Sequence, residues 1–196
     1  MKKQDFLSHF ILQPNKLTHT PLQNTRYNPN KILKKAAVLI PLVQRNNELH
    51  VILTQRALHL KHHPGQISFP GGRYEVTDNS LAITALRETE EEIGIEQHKV
   101  ELVGHLTSIE TNSGYHVTPY IGFVDNTHQI SIDRSEVRAS FEVPFSFIIN
   151  PKNFTKTHWI TNNKPHFSYC CVYQEYLIWG ATAQMLINLQ QHLRPR

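Results

Sequence analysis

Cysteine is almost missing from this chain. Of 196 residues only 2, the adjacent Cys170 and Cys171, carry a thiol. Neighbouring thiols cannot staple distant segments, so a disulfide framework is excluded and a reducing, cytoplasmic setting is expected. Long apolar runs are missing too. The longest, Ala36 to Val43, falls far short of the roughly 20 residues a membrane-spanning helix needs. The opening MKKQDFLSHFIL is broken by Asp5, Ser8 and His9, so no leader segment is expected. Strong charge of one sign is also absent. A net charge of +4 suits an anionic small molecule and gives no argument for nucleic acid. There is no internal repeat and no low-complexity tract. A hydrophobic content of 39% with 18% charged residues is that of a folded domain rather than a disordered one.

What is present suits one domain. Residues 1–30 are polar, punctuated by Pro14, Pro21 and Pro29, and read as an N-terminal arm or a short helix plus loop, part of the same unit. Such an arm could pack on a second subunit, so a homodimer is possible. Residues 31–196 read as the domain proper. Ala36 to Val43 and Leu49 to Thr54 form a hairpin around 44–48. Val100 to Ile109 and Val117 to Val124 read as strands around a loop at 110–116. Thr155 to Ile160 and His166 to Tyr173 flank a turn at 162–164. From Gly180 onward, Ala183, Leu186, Ile187 and Leu193 recur at helical spacing. Strands with two or three helices predict an α/β protein with a mixed sheet between helices.

The segment FPGGRYEVTDNSLAITALRETEEEIGI, Phe69 to Ile95, carries the chemistry. Pro70, Gly71 and Gly72 predict a tight turn where backbone can approach a ligand. Asp78, Asn79 and Ser80 are N-cap candidates for a helix whose apolar side is Leu81, Ala82, Ala85, Leu86 and Ile93, and Gly94 is its stop. On that helix Glu88, Glu91 and Glu92 stand at i, i+3 and i+4, one stripe of like charge. Each such pair costs about 0.2–0.5 kcal/mol. A divalent cation held by oxygen would turn this repulsion into binding. Taken alone, the same stripe also suits a solvated acidic face. Glu90 points away from the stripe. Arg87, four residues before Glu91, is placed to orient the carboxylates by a salt bridge.

These residues resemble the Nudix box, G-x5-E-x7-R-E-U-x-E-E-x-G-U, where U is a bulky apolar residue. Gly72, Arg87, Glu88, Glu91, Glu92, Gly94 and Ile95 match it. Asp78 stands in place of the glutamate, with eight residues rather than seven between it and Arg87, and Thr89 takes the first U position. The resemblance implies the Nudix fold, a mixed β-sheet in an α/β/α sandwich, and metal-dependent hydrolysis of a diphosphate linkage. It implies Mg²⁺ or Mn²⁺ on Glu88, Glu91, Glu92 and the carbonyl of Gly71. In the family the general base is a box glutamate or one from a later loop, so Glu88 and Glu136 compete for that role.

Leu53 to Gly72, LTQRALHLKHHPGQISFPGG, is similar to the signature of the coenzyme A pyrophosphatase branch, L-L-T-x-R-[SA]-x3-R-x3-G-x3-F-P-G-G. Leu53, Thr54, Arg56, Ala57, Gly65, Phe69, Pro70, Gly71 and Gly72 are in register. Ile52 and Lys61 replace a leucine and an arginine. Ser113-Gly114, Glu136-Val137, Val143-Pro144 and Ile178 to Ala183 also look like this branch. The implied substrate is coenzyme A or a derivative, cut into 4′-phosphopantetheine and adenosine 3′,5′-bisphosphate. Arg56, Lys61, His62 and His63 are candidates to meet its phosphates, beside Gly72. Zinc at His59, His62 and His63 is not expected, since no cysteine has ligand spacing to them. The alternatives are another nucleoside diphosphate such as ADP-ribose or a dinucleoside polyphosphate, damaged nucleoside triphosphates, and a non-catalytic nucleotide-binding module.

Overall fold

A computed structural model describes residues 1–12, 33–161 and 164–194. The apolar run at 36–43 lies inside β1 (Lys34–Arg45) and is apolar throughout because this strand is buried on both faces. Ala37, Leu39 and Val43 face one side, and Ala36, Ile40 and Leu42 the other. β2 (Glu48–Arg56) returns antiparallel with Arg45 opposite Glu48. The turn is therefore Asn46-Asn47 rather than the five residues 44–48. Asn46, at φ 51°, supplies the left-handed residue that a two-residue hairpin loop requires.

β3 (Ile67–Ser68), β4 (Gly71–Arg73), β5 (Val100–His105), β6 (Ile109–Glu110), β7 (Tyr115–Val124) and β8 (Val137–Pro144) complete an eight-stranded mixed sheet. Its main order is β3-β2-β1-β7-β5, with β8 on β2 and β6 on β7. β1 and β7 run parallel from Lys34↔Tyr115 to Val43↔Val124, between antiparallel neighbours. The strand expected at 100–109 is interrupted between His105 and Ile109. β8 was not foreseen. A separate three-stranded antiparallel sheet holds β9 (Thr155–Thr161), β10 (Lys164–Tyr173) and β11 (Tyr176–Trp179). Of the turn expected between β9 and β10, Asn162 and Asn163 lie outside the described residues.

Among the described residues four α-helices pack on this framework: α1 (Lys3–Ile11), α2 (Leu81–Ile93), α3 (Phe145–Ile149) and α4 (Gly180–Leu193). α2 sets Ala85 against Ala37 and Leu39, and Ile93 against Val43 and Ile52. α1, α3 and α4 share the larger core on the other face, through Phe6, Phe145 and Leu186 among others. Helices thus cover both faces of a mixed sheet, the expected α/β architecture. Within the polar arm read from the sequence, residues 13–30 lie outside the described residues, and α1 does not stand clear. Its fully buried Phe6 meets Phe10, Phe123 and Phe145 at ring separations of 5.6, 5.6 and 5.5 Å. Those rings belong to this chain's own core. Among the described residues, no helix is long and apolar enough to cross a membrane.

One topological detail positions the site. β1 pairs with β2 only from Leu42 to Arg45, while its earlier half, Ala36 to Val38, pairs with β4. β2 diverges there to pair with β3 and β8. The glycine segment fills the space where the two strands separate.

Candidate active site

The segment read as a tight glycine turn is therefore a short strand. Gly71 and Gly72 lie opposite Val38 and Ala37, and Pro70 accepts a hydrogen bond from the Leu39 N–H at 2.9 Å. A side chain at Gly71 would meet the Ala37 carbonyl and the Val38 Cα at 2.5 Å, and its φ of 151° suits glycine. At Gly72 a Cβ would collide with the carboxyl of Glu88. Both glycines are required because two pieces of backbone and one carboxylate share the space of a single layer.

α2 begins at Ser80, whose Oγ accepts the Ile83 N–H at 3.3 Å, and ends at Gly94, whose N–H reaches the Glu90 carbonyl. Of the three N-cap candidates Ser80 takes the role. Asp78 does something else. Almost fully buried, it accepts Arg87 Nε at 3.0 Å, Arg87 Nη2 at 3.1 Å, Thr84 Oγ1 at 2.9 Å and the Glu75 N–H at 3.0 Å. The sequence departure from the box thus still puts a carboxylate on Arg87. The other departure is equally well housed: Thr89 is fully buried, and its hydroxyl donates to the Ala85 carbonyl at 2.6 Å.

The three glutamates are not an even stripe. The Glu91 side chain is 59% exposed and Glu88 16%, whereas Glu92 as a residue is only 4% exposed. Arg87 bridges Glu88 at 3.0 Å and Glu91 at 2.9 Å. Burial pushes Glu92 up to about 8, with Glu88 and Glu136 adding to the rise. The Arg56 guanidinium and a hydrogen bond from the Gly71 backbone oppose it. Burial also raises Glu88, against the pull of Arg87. Glu136 lies in the turn before β8. Its carbonyl accepts the Ala57 N–H at 2.8 Å, and its charge acts on both Glu88 and Glu92. The sites read separately from sequence at 56, 71, 88, 92 and 136 therefore converge.

Among the described residues, no three carboxylates or imidazoles are arranged closely enough to enclose a metal ion. Arg87 holds two of the candidates. The donor chemistry nevertheless fits a hard divalent cation. Glu92 is a buried acid whose neighbours Glu88 and Glu136 make its ionised form costly, and a cation would relieve that cost. Turning Glu88 and Glu91 from Arg87 toward Glu92 would complete an all-oxygen set.

Beside Gly71 and Gly72 opens a cavity of about 910 Å³, within the range of small-molecule sites. Arg56, His62, His63, Arg73 and Lys34 line one side. A β-bulge between Gln55 and Arg56 re-aims the strand end that carries Arg56. Lys61 does not join them. It lies outside the lining, to which its equally exposed neighbours His62 and His63 belong. Another stretch of the wall was not assigned from sequence. It comes from β10, β11 and the start of α4, through Phe167, Ser168, Trp179 and Thr182. The likeness of 178–183 to the coenzyme A branch was the one sequence signal that pointed there.

A glutamate cluster on a helix, set against a glycine strand and opening on a basic cleft, is a Nudix architecture. The NUDIX domain family model matches residues 33–164, and the chain belongs to the Nudix hydrolases. It is 35% identical over 193 residues to a protein described as uncharacterized Nudix hydrolase NudL of Enterobacter sp. (strain 638), covering 97% of this chain and 95% of that one. The protein of the same description from Shigella flexneri serotype 5b (strain 8401) is 35% identical over 185 residues, covering 94% and 91%. Among solved structures, an Ap4A hydrolase of C. elegans in a binary complex is 17% identical with a TM-score of 0.47, over 55% of this chain and 77% of that one. The MutT protein of Methanosarcina mazei Go1 is 19% identical with a TM-score of 0.48, over 61% and 83%. The chain is thus an enzyme, a hydrolase of a diphosphate-containing small molecule in a family that generally uses Mg²⁺ or Mn²⁺. The reading as a non-catalytic module is set aside.

Proposed function

We propose that this enzyme hydrolyses the diphosphate of coenzyme A or its derivatives, giving 4′-phosphopantetheine, or its acylated form, and adenosine 3′,5′-bisphosphate. The observation that carries the reading is Arg56. It belongs to the Leu53–Gly72 signature and lines the cavity beside Gly71 and Gly72. Among the described residues its guanidinium makes no hydrogen bond or ion pair. A buried acid feels its charge, yet its donors remain free for phosphate oxygens. His62 and His63 add donors suited to a second phosphate, such as the 3′-phosphate that sets coenzyme A apart from ADP-ribose.

Glu88, Glu91, Glu92 and the Gly71 carbonyl would hold Mg²⁺ or Mn²⁺. When bound, the cation neutralises diphosphate oxygens and makes water acidic enough to attack near neutral pH. Glu88 or Glu136 would take the proton from that water. Arg87, anchored on Asp78, keeps the carboxylates at their stations. Mass spectrometry of coenzyme A incubated with the protein and Mg²⁺ or Mn²⁺ in H₂¹⁸O tests the reading, because the label identifies the attacked phosphorus. Intact coenzyme A beside cleaved ADP-ribose would refute the substrate while leaving the family in place.

A further inference from the structure

The family match ends at residue 164, but the cavity does not. Phe167, Ser168, Trp179, Ala181, Thr182 and Met185, all beyond that boundary, form one stretch of its wall. No lining residue from 167 to 185 is charged, whereas the stretch from 34 to 73 carries Lys34, Arg56, Arg73, His62 and His63. The wall's hydroxyls are already committed. Ser168 Oγ donates to the Tyr169 carbonyl at 3.2 Å and accepts the Gly180 N–H at 3.1 Å. Thr182 Oγ1 donates to the Ile67 carbonyl at 2.9 Å. One face of the Phe167 ring is covered by Lys156 Nζ, 3.7 Å from its centroid. What this wall offers a ligand is apolar surface: aromatic rings, an alanine methyl and a flexible methionine.

We propose that Phe167, Trp179, Ala181 and Met185 determine specificity by seating the apolar, thiol-bearing arm of the substrate and any acyl chain on it. The inference rests on the coenzyme A reading above. The division of charge across the cavity sets the direction. Phosphates are drawn to the glycine strand and the basic side. The end of the substrate without charge is left to the wall, where the Ser168 and Thr182 hydroxyls already have protein partners. Each methylene that enters this wall leaves water, so binding tightens as the acyl chain grows until the wall is filled.

The test is a thioester series, acetyl-, butyryl- and hexanoyl-coenzyme A, with free coenzyme A as reference, assayed with Mg²⁺ on the full chain. KM is expected to fall about tenfold from acetyl to hexanoyl, well short of the roughly 200-fold that full transfer of the four added methylenes would give. Phe167→Ala and Trp179→Ala should flatten that gradient to within about twofold, which is less than the loss of one well-buried methylene. Ala181→Leu, which fills the wall instead of emptying it, should reverse the gradient. It serves where an alanine variant fails to fold, as judged by circular dichroism. Equal KM along the series in the wild type, or a gradient untouched by all three variants, overturns the assignment while leaving coenzyme A hydrolysis intact. No cleavage of any member overturns the substrate reading and the wall together.

Discussion

Asp78 receives Arg87 through two nitrogens at once, Nε at 3.0 Å and Nη2 at 3.1 Å, from a side chain only 2% exposed. Arg87 then spends its other contacts on Glu88, Glu91 and the Arg73 carbonyl. The guanidinium is clamped from below by a buried acid and presents what remains to the functional carboxylates. Asp78 is thus a positioning residue, remote from the reacting atoms.

Removing the Asp78 charge leaves Arg87 half-held. Asp78→Asn should cost about 3 kcal/mol of stability, as for breaking one side of a buried pair, measured by urea unfolding. The hydrogen bonds from Arg87, with help from the Glu75 N–H and Thr84, hold Asp78 far below the usual carboxylate range. Its stabilisation is therefore complete above the unfolded pKa of about 3.9 and is lost as pH falls below it. Acid unfolding between about pH 4 and 2 should be steeper in the wild type than in Asp78→Asn.

Glu92 has the opposite sign. Its folded value near 8 lies above the unfolded value, so its contribution is intact in acid and is lost as pH rises from about 4.3 toward 8. In metal-free protein, Glu92→Gln should raise Tm relative to wild type at pH 8 but not at pH 5. A bound cation displaces the proton, so Mn²⁺ should stabilise the wild type more at pH 8 than at pH 6. Differential scanning fluorimetry across this range measures both effects, and a Mn²⁺ shift independent of pH would contradict them.

Glu88→Gln and Glu92→Gln should each lower kcat by at least about 10²-fold, the low end for a positioned catalytic group, with the fold retained. Glu136→Gln tests the competing base. If Glu136 takes the proton, its variant loses the acidic limb of the pH–rate profile and Glu88→Gln does not. Near-normal turnover of a folded Glu92→Gln would remove the basis for metal at this helix.

At Gly72 the added methyl of Gly72→Ala falls on the Glu88 carboxyl. Activity should drop about as far as in Glu88→Gln, by 10²-fold or more. Helix content by circular dichroism should be unchanged, because the clash moves a side chain and not the helix.

Much of this was legible in the sequence for definite reasons. The box helix announces both ends, Ser80 and Gly94, and the doubly buried β1 shows as an unbroken apolar run. β8 gave no such signal: its ends, Val137 and Val143, are buried while the residues between are mostly half-exposed, so it carries no clean alternation. The glycine segment reads as a turn because Pro-Gly-Gly usually makes one. Here β2 veers off and leaves β1 an open edge, which a strand that opens on two glycines can fill. The depth of Glu92 was hidden as well. Spacing puts it beside Glu88 and Glu91, but only the strand laid over the helix takes it out of water. Arg56 and Glu136 are 80 positions apart in sequence, and the pairing of Ala57 with Glu136 is a long-range contact that no local pattern reports.

The Phe6 ring has a consequence for how the chain is made. α1 is synthesised first, yet its partners Phe123 and Phe145 come late, and His192 in the last helix contacts the Phe10 ring and its carbonyl. The Phe6 and Phe10 rings can be buried only after residues 123, 145 and 192 have been made. Two phenylalanines thus stay exposed while the sheet and α4 are being synthesised, and a change at His192 would be felt at α1.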